Sequence, residues 1–205
     1  KGVLVVVSGF SGAGKGTVMK ALLNKYDNYA LSVSATTRNP RPGEENGREY
    51  FFLTESQFED MIKNDELIEH ARYVDHYYGT PKKYVEEKMA AGKDVILEIE
   101  IQGALNIKKK FPDALLVFIV PPTAEDLKKR LTGRGTESAE VIEKRLRRAA
   151  EESDGMDSYD YIVVNDDIDT CVEDLHSLIR SSHFKESANT DLVARMKQEL
   201  HDMTK

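Results

Sequence analysis

Five short apolar runs recur along the chain, at residues 3–7, 30–33, 95–101, 115–120 and 161–164. Most of them are separated by segments in which apolar residues repeat every three or four positions, as on one face of a helix. Short runs rich in β-branched residues are typical of strands buried on both faces, and helical crossovers between such strands produce a parallel sheet. The pattern therefore predicts an α/β fold in which helices flank a parallel sheet and ligands bind at the carboxyl ends of the strands.

Residues 34–80 break this alternation and predict a small mixed α+β subdomain facing the end of the first strand. They contain a polar, turn-rich stretch, a helix near 56–64 and short strands around 67–74. The rest of the chain is predicted to form the core around the main sheet and, from about residue 185, a polar helical tail. The expected limits are 1–33 and 81–184 for the core and 185–205 for the tail.

The first apolar run leads into GFSGAGKGT at residues 9–17, which has the GxxxxGK spacing of a phosphate-binding loop. Glycines let the backbone N–H groups point inward, the next helix offers its positive N-terminal end, and Lys15 adds a cation for the terminal phosphates. A plain glycine turn is the alternative, but the flanking strand and helix patterns favour a nucleotide polyphosphate. Gly16 stands where the motif has Ser or Thr, and the hydroxyl arrives at Thr17. We therefore expect magnesium to be held mainly by nucleotide oxygens and water.

Composition narrows the remaining classes of function. The 205-residue chain has a formal net charge of −7, which argues against general nucleic-acid binding, and its five histidines lack the spacing of a metal site. Cys171 is the single cysteine and falls among helix-spaced apolar residues, so we expect it in the core of a protein from a reducing compartment. The chain has no basic-then-apolar leader, and its apolar runs are far shorter than the ~18 residues of a membrane helix. These features predict a cytoplasmic protein without membrane contact.

Arg38, Arg41 and Arg48 lie in one polar segment that Pro40 and Pro42 stiffen. The planar guanidinium binds phosphate through paired hydrogen bonds and keeps its charge at any working pH. A solvated surface loop with ordinary charges is the alternative. The stiffened path favours a preformed clamp for a second phosphate.

Further arginines flank residues 133–138, which join two helical segments and place a glycine on either side of Arg134. Flanking glycines favour a hinge, so a mobile lid is expected at about 133–148. The arginines at 130 and 134 are four residues apart and those at 145 and 148 three apart, so each pair can share a helix face. Cations favoured near a helix C-terminus, or solvated charges, are the alternative.

Several motifs in order along the chain resemble the guanylate kinase family: S-x-TTR-x-PRPGE, NGREYFF, Glu69, YYGT and DVILEIEIQGA. The resemblance runs from the phosphate-binding loop to about His183. It implies a P-loop NTPase-type sheet with a mobile lid, and a GMP-binding role for the subdomain at 34–80. It also implies transfer of the γ-phosphate of ATP to GMP or dGMP, with Mg²⁺ as cofactor.

The resemblance assigns residues to each part of such a site. On the ATP side it implies Ser11, Gly12, Ala13, Gly14, Lys15, Gly16, Thr17, Arg130, Arg134 and Asn165. On the GMP side it implies Ser34, Arg38, Arg41, Tyr50, Glu69, Tyr78, Gly79, Thr80, Glu98 and Glu100. The residues expected to act on the transferring phosphoryl group are Lys15, Arg38, Arg134 and Arg145, and Thr17 and Glu98 are expected at the metal, the latter through water.

The chemistry of guanine suits this assignment. Its N1–H and N2 amino group are adjacent donors that call for carboxylates such as Glu69 and Glu100, and its O6 calls for hydroxyl donors such as Ser34 and Thr80. For each acid a surface carboxylate is the alternative, and for the tyrosines at 50 and 78 it is a core position.

Some positions depart from the family pattern or admit a second reading. Phe10 stands where the family usually has Pro, and Glu100 where Asp is common. Strand alternation predicts that Glu98 and Glu100 share one face. Asn165 is explained nearly as well by a turn after a strand. Another nucleoside monophosphate kinase, or a non-catalytic module that binds a phosphorylated peptide, remains an alternative, and oligomeric state stays open.

Overall fold

The computed structural model describes residues 2–73, 75–133 and 138–204 of the protein. Its main sheet has five parallel strands in the spatial order β2-β7-β1-β8-β9. These strands are β1 (Leu4–Gly9), β2 (Tyr29–Leu31), β7 (Asp94–Glu98), β8 (Leu115–Val120) and β9 (Tyr161–Val164). The parallel sheet predicted from the apolar runs is confirmed.

Helices cover both faces of this sheet. Residues 4–7 of β1 are all apolar because both faces of the strand are covered: Val5 and Val7 enter one hydrophobic cluster, while Leu4 and Val6 enter the other. The first cluster is completed by α1 (Lys15–Lys25) and α7 (Ile168–Ser182), and the second by α3 (Lys82–Ala90) and α4 (Ile101–Lys110). Cys171 is fully buried in the first cluster, as predicted, and burial raises the pKa of its thiol to about 11.

A second sheet lies between β2 and α3 in the chain, with spatial order β4-β3-β6-β5. Its strands are β3 (Ser34–Thr36), β4 (Tyr50–Phe52), β5 (Leu67–Tyr73) and β6 (His76–Pro81), and α2 (Glu55–Lys63) packs on it. Phe58 of α2 is fully buried against Ala35 and Leu67. A reciprocal capping box between Thr54 and Gln57 starts α2, which confirms the helix predicted there.

Two helices border the phosphate-binding loop, α5 (Ala124–Thr132) and α6 (Ala139–Ser153). Leu127 and Leu131 of α5 pack with Ala149 of α6 in a separate cluster that Phe10 joins from the loop. Phe10 also meets Phe118 of β8 edge to face, with ring centroids 5.1 Å apart. An aromatic ring at position 10 therefore anchors the loop to the sheet and to both helices.

After α7 the chain forms a 3₁₀ turn, Glu186–Ala188, and the helix α8, Thr190–Met203. The side chains of Leu192, Met196, Leu200 and Met203 on this helix are exposed. Across the described part of the chain, none of the helices is long and apolar enough to span a membrane.

The predicted extent of β7 is wrong at its carboxyl end. The strand ends at Glu98, and Glu100 is the N-cap of α4, so the two acids do not share a strand face. The alternating residues Ile99 and Ile101 extend the apolar run in the sequence. From Ile101 onward the buried positions follow helical spacing instead, and the chain turns into α4.

Candidate nucleotide site

A cavity of about 800 Å³ opens where the carboxyl ends of β1 and β7 face the second sheet. The start of α4 and the inner face of α6 complete its wall. Its volume lies in the range of small-molecule and cofactor sites, and its position is the one that parallel α/β sheets use for ligands.

Most of the predicted site residues line this cavity. From the loop and α6 come Ser11, Lys15 and Arg145. From the second sheet and the loop between its strands β3 and β4 come Ser34, Arg38, Arg41, Tyr50, Glu69, Tyr78 and Gly79, and from the β7–α4 junction come Glu98 and Glu100. Arg134 lies outside the described residues.

The phosphate-binding loop closes tightly over the start of α1. Gly14, the N-cap of α1, has a φ of 89°, which lies in the left-handed region that favours glycine. A Cβ atom here would also clash with Nδ2 of Asn165, whose amide is held in place behind the loop. The GxxxxGK glycine at this position is therefore required both by the backbone conformation and by the packing behind the loop.

Asn165 and Arg130 brace the loop from behind. The buried Asn165 amide donates to the carbonyl of Ala13 at 2.8 Å, and Arg130 donates to the carbonyl of Asn165 at 2.7 Å and to that of Ala13 at 3.4 Å. Both side chains thus hold the loop backbone in shape. The expectation that they also contact ATP stays a prediction.

Lys15 reaches the cavity from the first turn of α1. Its Nζ donates to the carbonyls of Gly9 at 2.7 Å and Phe10 at 3.2 Å. Burial lowers the pKa of the ammonium, and the carboxylates of Glu98, Glu152 and Glu100 act in the opposite direction. The cation is therefore held beside the loop by groups that favour its charged form.

The arginine segment presents two guanidinium groups to the cavity and directs the third away. Arg38 lies over the rings of Tyr50 and Phe52, at 5.3 and 5.7 Å from their centroids. Arg48, by contrast, is half exposed and pairs with Glu45 and Glu49 at the surface. Of the three arginines, Arg38 and Arg41 therefore line the cavity, with the tyrosines at 50 and 78 beside them. That they clamp a second phosphate stays a prediction.

Glu69 and Thr80 face each other across the β5–β6 pairing. Thr80 Oγ1 donates to Glu69 Oε1 at 2.9 Å, and both residues are buried. Burial raises the pKa of the Glu69 carboxyl to about 7, while the Thr80 hydroxyl and Lys110 oppose the shift. A buried carboxylate with one oxygen left for a ligand suits a donor pair such as that of guanine.

A bridge of ion pairs links α6 to the start of α4. Arg148 donates to Glu100 Oε2 at 3.0 Å and to Glu152 Oε1 at 2.7 Å. Arg145 lies nearer the loop, with its Nη1 3.3 Å from Ser11 Oγ. The two arginines thus share the cavity face of α6, although Arg148 is tied to carboxylates.

Two acids in the cavity wall were missed by the motif reading. Glu44 belongs to the PRPGE motif and pairs with Arg38, and Glu152 lies four residues after Arg148 on the same helix face. Glu152 has a signal in the sequence, since a carboxylate four residues from an arginine on one helix predicts a pair. Glu44 has no such signal, because it lies six residues from Arg38 and outside a helix.

The oxygen donors near the loop fit a magnesium ion that the nucleotide brings with it. Within the described ranges, no group of three or more His, Cys, Asp or Glu side chains forms a metal cage. Glu98 lines the cavity, burial raises its pKa, and Lys15 opposes that shift. Thr17 lies exposed on the first turn of α1. This sparse set of hard donors suits a cation that keeps water and phosphate ligands.

Comparisons with known proteins agree with this geometry. The family model described as guanylate kinase matches residues 1–182. The guanylate kinase of Caldanaerobacter subterraneus subsp. tengcongensis is 48% identical over 199 residues, with 97% of each chain covered. That of Lactococcus lactis subsp. lactis is 50% identical over 185 residues, with 90% of each chain covered. The crystal structure of guanylate kinase from Anaplasma phagocytophilum superposes with a TM-score of 0.73 at 33% identity, covering 90% of this chain and 87% of that one. The fold is therefore of the P-loop NTPase type, and the chain belongs to the guanylate kinase family.

Proposed function

We propose that the protein transfers the γ-phosphoryl group of ATP to GMP or dGMP, giving ADP and the corresponding diphosphate. The observation that carries this proposal is that one cavity brings Glu69, held by Thr80 from behind, and the two arginines Arg38 and Arg41 to face Lys15 and its loop. Family membership supports it, since the relatives named above are guanylate kinases.

Recognition of the base rests on the polarity of the pocket. The free oxygen of Glu69 accepts from guanine, and the Ser34 hydroxyl donates to its O6, while the Thr80 hydroxyl donates to Glu69 Oε1 and orients the carboxylate. Adenine lacks the N2 donor and reverses the polarity at position 6, so it leaves the buried carboxylate unpaired. That costs about 1–3 kcal/mol or more, and AMP is expected to be rejected by about 100-fold at least.

Transfer itself asks the protein for alignment and positive charge. An oxygen of the GMP phosphate forms a bond to the γ-phosphorus, the bond from that phosphorus to the β–γ bridging oxygen breaks, and ADP keeps the electron pair. Arg38 and Arg41 hold the acceptor phosphate, while Lys15 and Arg145 face the charge on the γ-phosphoryl oxygens. Magnesium bound with ATP neutralises charge on the β- and γ-phosphates, and Thr17 and Glu98 are the oxygen donors that would hold it, Glu98 through water.

A screen of acceptors tests the proposal. Initial rates of ADP formation are measured with ATP, magnesium and each of GMP, dGMP, AMP, UMP and CMP. We expect GMP and dGMP to be used and AMP to react at least about 100-fold less efficiently in kcat/KM. Comparable rates with AMP would assign another base specificity, and absence of ADP with every acceptor would reject kinase activity.

The KM for GMP is expected to rise as the pH falls below about 7. Glu69 has a pKa of about 7, and only its ionised form offers one oxygen to Thr80 and the other to guanine, so each further pH unit should raise KM by about tenfold. The measurement is KM for GMP between about pH 5.5 and 8.5, with KM for ATP alongside. Glu69→Gln controls for titration of the GMP phosphate, because only the Glu69 component disappears in that variant. A pH profile shared by both proteins would contradict the role of Glu69.

Gly103→Ala is expected to raise the KM for GMP by about tenfold while the protein stays folded. A Cβ atom at residue 103 would lie 3.0 Å from Glu69 Oε2, so the carboxylate must shift away from it. Alanine favours a helix over glycine by up to ~1 kcal/mol, so the melting temperature of the Gly103→Ala protein should not fall below that of wild type. Lys109→Ala, at an exposed position of the same helix, is the matched control. An unchanged KM for GMP would show that Glu69 has room to move.

A further inference from the structure

Glu44 forms a paired ion contact with Arg38 inside the cavity wall. Arg38 Nη1 donates to Glu44 Oε2 at 2.9 Å, and Arg38 Nη2 donates to Glu44 Oε1 at 3.0 Å. The side chains are only 13% and 17% exposed, whereas Arg48 and Glu45 in the same segment are 53% and 70% exposed. The Arg38–Glu44 pair is therefore unlike the solvated pairs that contribute little to structure.

Some N–H groups of the Arg38 guanidinium bind the loop that contains Asn39 and Glu44, and the others face the cavity. A guanidinium has five N–H groups, and Glu44 takes one from each Nη. The carbonyl of Asn39 accepts from Nη1 at 2.6 Å, which uses its second hydrogen. The donors not used by these two residues are Nε–H and the remaining hydrogen of Nη2. They lie on one edge of the guanidinium and form a fork that matches two oxygens of a phosphate. The side chain of Tyr78, which also lines the cavity, hydrogen-bonds to Arg38 as well, so a bound phosphate is expected to meet this hydroxyl beside the fork.

The same carboxylate also fixes the second arginine. Glu44 Oε2 accepts from the backbone N–H of Arg41 at 2.7 Å, so one side chain ties the position of Arg41 to that of Arg38. The hydrogen bond from Arg38 lowers the pKa of Glu44, which keeps this anchor ionised as the pH falls. The rings of Tyr50 and Phe52 also contact the Arg38 guanidinium and restrict its position.

We propose that Glu44 is a positioning residue for the acceptor phosphate, which fixes Arg38 so that its second fork, Nε–H and Nη2–H, is presented to that phosphate. The inference rests on the proposed function, because that function supplies the phosphate in question. The opposite reading is that Glu44 acts as a competing anion that occupies Arg38. The two readings predict changes of opposite sign when the carboxylate is removed.

The test is Glu44→Gln, in which an amide N–H₂ group meets the guanidinium and the paired contact is lost. We expect KM for GMP to rise by about tenfold or more, with KM for ATP and the inhibition constant of guanosine within about twofold of wild type. Guanosine has the base and the sugar of GMP but no phosphate, so a general distortion of the pocket would weaken the binding of guanosine as well. Glu44→Asp keeps the charge and should recover part of the loss, and Glu45→Gln is the matched surface control.

A double-mutant cycle shows whether Glu44 acts through Arg38. In an Arg38→Ala background, Glu44→Gln should change KM for GMP by less than about twofold. An equal loss in both backgrounds, an unchanged KM, a tighter KM, or an equal weakening of guanosine would each overturn the proposal. If Glu44→Gln does not fold, Glu44→Asp serves in the same cycle, with partial loss expected in place of full loss. Failure of the proposed function is seen separately, in a wild-type protein that does not phosphorylate GMP.

Discussion

Replacement of Lys15 by alanine is expected to lower kcat with GMP by at least about 100-fold, which corresponds to roughly 2.7 kcal/mol of lost transition-state stabilisation. The ammonium is the cation at the phosphate-binding loop, and the neighbouring carboxylates favour its charged form. The loop has no second cation that could replace Lys15, since residues 9–17 contain no other basic side chain. A coupled assay of ADP formation at saturating ATP and GMP measures the effect.

Lys20→Ala is the matched control for this variant. Lys20 is exposed on the same helix and does not line the cavity, so its removal should leave kcat unchanged. Near-normal turnover by Lys15→Ala, in a protein that melts like wild type, would rule out the proposed role of the lysine.

Glu69→Gln is expected to raise the KM for GMP by about 100-fold while leaving KM for ATP unchanged. The amide keeps the acceptor for Thr80 Oγ1 but presents a donor where guanine also has donors. Initial rates over a range of GMP concentrations measure this change, and the exposed Glu66→Gln is the matched control. Equal weakening of both substrates would mean that the acid is structural.

The same variant is expected to be more stable than wild type at about pH 8. The pKa of Glu69 is raised from 4.5 to about 7 in the folded protein, so the folded state holds a proton that the unfolded chain releases at lower pH. The associated stability is complete below about pH 4.5 and is lost as the pH rises through about 7, a change of roughly 3 kcal/mol for a shift of this size. Glutamine is neutral at every pH and does not incur this loss.

Unfolding by denaturant at about pH 4 and pH 8 measures the effect. The free energies of unfolding of the variant and wild type should agree at the lower pH and separate at the higher one. A variant that is less stable at both would show that the carboxylate supports the fold. If Glu69 is buried for binding, the Glu69→Gln variant should be more stable than wild type at the higher pH but bind GMP more weakly.

The fold could be read from the sequence because its signals are local. The apolar run of β1 predicts a strand covered on both faces, and the two clusters that receive its alternate residues bear this out. The end of β7 could not be read in the same way. Ile99 and Ile101 fit a strand as well as the start of a helix, and only the burial of Ala104 and Ile107 against the sheet decides between them.

The site could be predicted as a set of residue types but not as a set of contacts. Lys15, Arg38 and Glu69 stand out by motif and charge. No spacing in the sequence indicates that Glu44 occupies both Nη groups of Arg38 or that Thr80 meets Glu69, because these pairs depend on side-chain geometry and on strand register. Sequence patterns therefore locate the chemistry, and packing decides which partner each group takes.

The bond from Asn165 to Ala13 joins residues 152 positions apart, and β9, which precedes Asn165, is an edge strand of the main sheet. The loop that follows β1 is thus braced from the residue after β9, the last strand of the described part of the chain. A nascent chain on the ribosome that has not yet released residue 165 lacks this brace. The loop therefore gains this brace only after residue 165 has emerged, long after its own residues have been made.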